Sequence, residues 1–209
     1  MDLKNLKINF IGDSITEGVG ASAYENCYVA RFAAITGAQC RNYGISGTRI
    51  ARRQIPYHTP SMDQDFNSRY HLMEQDADVI VVFGGTNDYG HGDAPIGKMS
   101  DRTVWTFYGA LHSLFTGLLE RWPGSTFVVM TPLHRVYEDM DMPHLDVFVK
   151  AMREVAEYYS LPVLDLFASS GMQPKVPAIR EKYFADHVHP NDAGHEVIAN
   201  KLKRFLENM

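Results

Sequence analysis

The run Val79-Ile80-Val81-Val82-Phe83 is continuously apolar and mostly β-branched, and it narrows the fold more than any other stretch of the chain. A strand with one face in water alternates apolar and polar side chains. An unbroken apolar run instead needs cover on both faces, the condition of a parallel sheet between helical layers. Residues 8–11, 39–43, 126–131 and 161–166 read as further strands, with the first run spanning 78–83. Between them the apolar period changes to that of a helix. From Val104 it recurs at Phe107, Leu111, Leu114, Leu118 and Trp122, from Leu145 at Phe148, Val149, Met152 and Val155, and from Val197 at Ile198, Leu202 and Phe205. Residues 28–36 and 65–73 carry weaker helical signals. Strands alternating with helices predict an α/β fold with right-handed crossovers. No repeat or linker divides the 209 residues, so 1–209 reads as a single domain.

The first strand ends in Gly12-Asp13-Ser14, which sets a hydroxyl at the carboxyl edge of the sheet. Open α/β sheets bind ligands at that edge. Read alone, Asp13 and Ser14 serve equally well as a turn or helix cap. The irregular stretches 45–61 and 89–101 both follow strands and are expected over the same edge, with 132–143 at the rim. Gly44, at the end of the second strand, offers a backbone N–H with nothing to block access. In Gly85-Thr86-Asn87-Asp88, Asn87 offers a neutral side-chain donor. Together with the N–H of Ser14 these make three donors for an oxyanion. Near the other end, Asp186 precedes His189 by three residues, a spacing that lets one turn bring the carboxylate to the imidazole Nδ1 and leave Nε2 for a serine. His187 competes, but it follows Asp186 directly and would point elsewhere in an extended stretch. Pro190 is expected to open the following helix.

These blocks resemble the SGNH hydrolases of the GDSL esterase/lipase superfamily: Gly12-Asp13-Ser14, Gly44, Gly85-Thr86-Asn87-Asp88 and Asp186 to His189, in that order and across most of the chain. Ile15 stands where the name-giving leucine usually does, an apolar-for-apolar exchange. The resemblance implies a three-layer α/β/α sandwich, flavodoxin-like, on a five-stranded parallel sheet. It implies Ser14 as nucleophile, His189 as general base and acid, Asp186 as its orienting carboxylate, and Ser14, Gly44 and Asn87 as the oxyanion hole. Asp13 and Tyr89, beside these groups, are expected to contact substrate. The implied reaction is two-step hydrolysis of a small-molecule ester, with no metal and no organic cofactor required.

Composition bounds the alternatives. A net charge of −5 with no basic run argues against nucleic acid or an anionic membrane as partner. The one basic cluster, Arg49, Arg52 and Arg53, reads as a solvated face or as a contact for an acidic substrate group. No run approaches the ~18 apolar residues of a membrane helix, the first residues lack a signal-peptide pattern, and two cysteines fit a reducing compartment. A cytoplasmic protein is expected, with a homo-oligomer left open. Gly18-Val19-Gly20-Ala21-Ser22-Ala23 matches a dinucleotide fingerprint in letters but lacks its strand context and its acidic partner. Two rivals remain. A metal-dependent hydrolase would gather Asp13, Asp88, Asp186, His187 and His189, which leaves Gly44 and Asn87 idle. A non-catalytic binding domain would use Tyr24, Tyr28, Tyr89, Trp105 and Tyr108 as a platform. The absence of a long apolar lid segment favours short acyl chains, an acetylated carbohydrate among them.

Overall fold

The computed structural model describes residues 1–209. Strands β1 (Lys7–Gly12), β2 (Gln39–Gly44), β3 (Val79–Phe83), β4 (Thr126–Met130) and β5 (Val163–Leu164) form one sheet of order β2-β1-β3-β4-β5. Every neighbouring pair is parallel. Helices α1 (Ser14–Glu17), α2 (Tyr28–Thr36), α3 (Phe66–Arg69), α4 (Thr86–His91), α5 (Phe107–Arg121), α6 (Leu145–Tyr158), α7 (Leu166–Ser169), α8 (Pro177–Tyr183) and α9 (Asp192–Glu207) fill the connections. The strand order is flavodoxin-like, and its direction reverses between β1 and β3, where such sheets open a crevice. In register, Gly12 lies opposite both Gly44 and Phe83. The segments leaving β1, β2 and β3 therefore start side by side.

The two faces of the sheet build two apolar cores. Along β3, Ile80 and Val82 join α5 and α6, while Val79, Val81 and Phe83 join α2 and α9. This alternation within one apolar run is what cover on both faces requires. Phe10 meets Tyr28 and Phe32 edge-on at 5.8 and 5.9 Å. Each such buried ring contributes about 1.5–3 kcal/mol. The Tyr28 N–H donates to His195 Nδ1 at 3.2 Å and ties α2 to α9. No helix is long and apolar enough to cross a membrane.

The expected strands all form, though the last shrinks from 161–166 to Val163–Leu164. Four helices carried no periodic signal, because α1, α4, α7 and α8 span only four to seven residues. Pro190 does not open α9. Asn191 caps that helix instead, its Oδ1 accepting from the N–H groups of Ala193 and Gly194 at 3.0 and 3.1 Å.

Candidate active site

The position of Ser14 is set by a glycine. A Cβ at Gly12 would fall 1.9 Å from Thr16 Oγ1, so only glycine lets α1 fold back onto the end of β1. Asp13 caps that helix, its Oδ1 accepting from the Ile15 N–H at 3.0 Å. Ser14 is then the first helical residue, and its N–H has no intrahelical acceptor. Arg69, which nothing in the sequence singled out, underpins this edge. Its guanidinium donates to the carbonyls of Gly12 at 2.6 Å and Tyr43, joining the ends of β1 and β2 from below.

The opposite wall comes from the turn before α9. Asp186 Oδ1 accepts from the backbone N–H of both Val188 and His189 at 2.7 Å, and Oδ2 lies 2.7 Å from His189 Nδ1. A carboxylate can only accept, so Nδ1 carries the proton and Nε2 is left as an acceptor. Nε2 sits 2.9 Å from Ser14 Oγ. Partial burial pushes the Asp186 carboxyl up, but its hydrogen bonds from His189 and Val188 outweigh that and hold it below the usual range. His187 turns away, packing against Tyr137 with ring centres 5.0 Å apart.

Between these walls lies an open cavity of about 360 Å³, lined by Ser14, Val19, Ser46, Gly47, Asn87, Gly90, His91, Arg135, Val188 and His189. Asn87 Nδ2 donates one hydrogen to the Thr48 carbonyl at 2.9 Å. That bond fixes the amide and leaves its second N–H. Gly44, expected here as a donor, is displaced from the role. Its N–H is taken by Asn42 Oδ1 at 2.8 Å, and a Cβ on it would meet the Glu17 backbone N at 2.2 Å. Gly44 is therefore a packing glycine beneath α1. Gly47, three residues on, lines the cavity with φ at +76° and an N–H that finds no acceptor in the protein. Two glycines in Gly44-Ile45-Ser46-Gly47 were visible in the sequence, and only the third dimension separates them.

Asp13 and Tyr89 do not reach the cavity either. The Asp13 carboxyl faces the interior, where burial raises its pKa to about 7. Tyr89 packs edge-on to Phe148 in the core, and its hydroxyl donates to the Tyr137 carbonyl. The basic cluster is a paired one, and only Arg52, with its side chain 40% exposed, faces solvent to any extent. Arg49 is fully buried and pairs with Asp63 at 2.9 Å, Arg52 pairs with Asp65 at 2.9 Å, and Arg53 with Asp93 at 3.5 Å. Asp88 clamps the loop after β2 by accepting from the Ile50 and Ala51 N–H groups at 3.0 and 2.8 Å, and burial lifts its carboxyl to about 6. Asp13, Asp88 and Asp186 thus serve three separate partners, and no three His, Cys, Asp or Glu side chains converge on a metal-sized site. The aromatic platform disperses likewise: Tyr28 and Tyr89 are buried, Tyr24 and Trp105 exposed. His91 and Arg135, both unanticipated, line the cavity. Burial and the Arg49 charge lower the His91 pKa to about 4, so it is neutral at pH 7.

The sequence model of the GDSL-like Lipase/Acylhydrolase family matches residues 10–197. A GDSL lipase of Mycobacterium tuberculosis is 25% identical over 214 residues, which cover 99% of this chain and 84% of that protein. A solved protein from Lactobacillus plantarum is 34% identical and superposes with a TM-score of 0.85 over 98% of each chain. A two-domain esterase active on acetylated mannans shares the fold at 20% identity and a TM-score of 0.69, matching 98% of this chain and 49% of that one.

Proposed function

From the premise that the chain belongs to the GDSL-like Lipase/Acylhydrolase family and is a hydrolase acting on esters, we propose a serine mechanism that runs through an acyl-enzyme on Ser14. The observation that carries it is the chain of contacts Ser14 Oγ to His189 Nε2 at 2.9 Å and His189 Nδ1 to Asp186 Oδ2 at 2.7 Å. Ser14 Oγ attacks the acyl carbon while His189 Nε2 takes its proton. Asp186 keeps the imidazole in the productive tautomer and stabilises the imidazolium. The N–H groups of Ser14 and Gly47 and the free N–H of Asn87 receive the developing oxyanion. His189 then protonates the departing alcohol and afterwards deprotonates the water that releases the acid. Every group in this cycle belongs to the chain.

The cavity also bears on the substrate. Val19 and Val188 are its only apolar side chains larger than glycine, against Ser46, Asn87, His91 and Arg135. A long acyl chain would bury its methylenes against polar groups and strip them of water. The reading is therefore a short-chain ester of a polar alcohol, with acetylated carbohydrate in that class. Turnover of p-nitrophenyl acetate tests the mechanism. Ser14→Ala is expected to lower kcat/KM by about 10⁴–10⁶-fold with folding intact, and excess EDTA to leave the rate unchanged. Activity that persists in Ser14→Ala overturns it.

A further inference from the structure

Resting on that reading, the geometry points to Arg135 as the recognition group for a negative charge on the substrate: the natural ester carries an anionic substituent within reach of Ser14. Arg135 lies in the irregular segment that follows β4 and lines the cavity that holds Ser14 and His189. Its backbone is pinned, because its own N–H donates to Glu138 Oε2 at 3.1 Å and the next N–H, of Val136, to the His187 carbonyl at 3.1 Å. The head is aimed as well. Nη1 donates to the Thr86 carbonyl at 3.1 Å and contacts Thr86 Oγ1 at 3.4 Å, and Cζ lies 5.2 Å from the centre of the Tyr89 ring. Gly90 makes the room, since a Cβ there would stand 2.6 Å from Nη1.

What this head lacks is a carboxylate in direct contact, since those of Asp186, Asp141 and Glu138 reach it only at longer range. Arg49, Arg52 and Arg53 each hold a carboxylate. Arg135 holds none: its one side-chain partner besides the Tyr89 ring is Thr86, and its Nε is buried with no acceptor at all. No Asp or Glu lines the cavity itself, so Arg135 is its one fixed cation, and the carboxylates of Asp186, Asp141 and Glu138 act on that charge only from outside the cavity wall. A half-buried cation with no carboxylate in contact carries part of its desolvation cost uncompensated, and an anionic ligand at the open side of the guanidinium would offset it. The planar fork suits a carboxylate or another oxyanion with two oxygens. Tyr89, which does not touch the cavity itself, supports the guanidinium from behind.

Two charge-only pairs of esters test this. One places the charge on the acyl side: mono-4-nitrophenyl succinate against its methyl ester. The other places it on the alcohol side: 4-acetoxybenzoate against methyl 4-acetoxybenzoate. The quantity read is the ratio of kcat/KM, anionic over neutral, within each enzyme form, so that a general loss of activity cancels. In Arg135→Gln that ratio is expected to fall about 10- to 100-fold for at least one pair, chiefly through KM, as for a lost charge-assisted hydrogen bond. Arg135→Lys, which keeps the charge without the fork, is expected to restore part of it. Ratios unchanged in both pairs, with both members falling together, reduce Arg135 to a structural brace and overturn the inference. Turnover of either pair that survives Ser14→Ala would instead remove the serine reading beneath it, a distinct result.

Discussion

Ser14 and His189 meet at 2.9 Å, yet the regions that present them are built on different principles. Ser14 stands on the buried end of the sheet, over Gly12, Gly44 and Arg69, where each neighbour is packed to contact. His189 stands on a turn whose Asp186 side chain is 51% exposed and which is closed by its own backbone hydrogen bonds and the bridge Phe184–Pro190. One half of the site is positioned by the core, and the other by a handful of local polar contacts. Changes in the first should therefore alter stability together with rate, and changes in the second should alter rate alone.

Asp186→Asn is the largest test. It removes the carboxylate that fixes the His189 tautomer, so kcat is expected to drop about 10⁴-fold, while urea denaturation stays within about 1 kcal/mol of the parent. A large stability loss would break the contrast, because it would make the exposed turn part of the core. Asp88→Asn should show the reverse balance. It sets an amide N–H₂ against one of the two buried N–H donors of Ile50 and Ala51, so about 1–3 kcal/mol of stability goes, with a rate effect far below that of Asp186→Asn.

Asp13→Asn gives the sharpest test on the buried side, since asparagine also caps helices well. The Asp13 pKa rises from 3.8 to about 7 on folding, so between these values the folded state binds more protons than the unfolded. Stability must fall as pH rises through that window. The asparagine variant lacks this term and should gain on the parent between about pH 4 and 7, by at most ~1.4 kcal/mol per pH unit. Parallel stability curves for the two proteins across that range would show that Asp13 is not desolvated as its burial implies.

The same division governs what could be read from the sequence. Asp186 and His189 are joined through a three-residue spacing, and the Ser14 and Asn87 blocks follow strands with strong apolar signals, so local pattern was enough to find them. Gly44 and Gly47 could not be told apart, because the deciding fact is that Asn42 Oδ1 has already taken one N–H. Arg49 looked solvated because its partner, Asp63, is 14 residues away beyond an irregular loop. Arg69 sits in a stretch with only a weak helical signal, Arg135 in none, and neither belongs to a motif. Their roles come from carbonyls and rings brought to them by β1, β2 and α4.

The 175 residues that separate Ser14 from His189 have a consequence for assembly. During synthesis the serine emerges long before the imidazole, which arrives only when α9 packs against α2. Until then the hydroxyl has no imidazole beside it. Cutting the chain in the exposed stretch near Met140 and Met142 would leave the serine on one fragment and the histidine on the other. Ester turnover by the mixed fragments would then report their reassociation, in the manner of a split reporter.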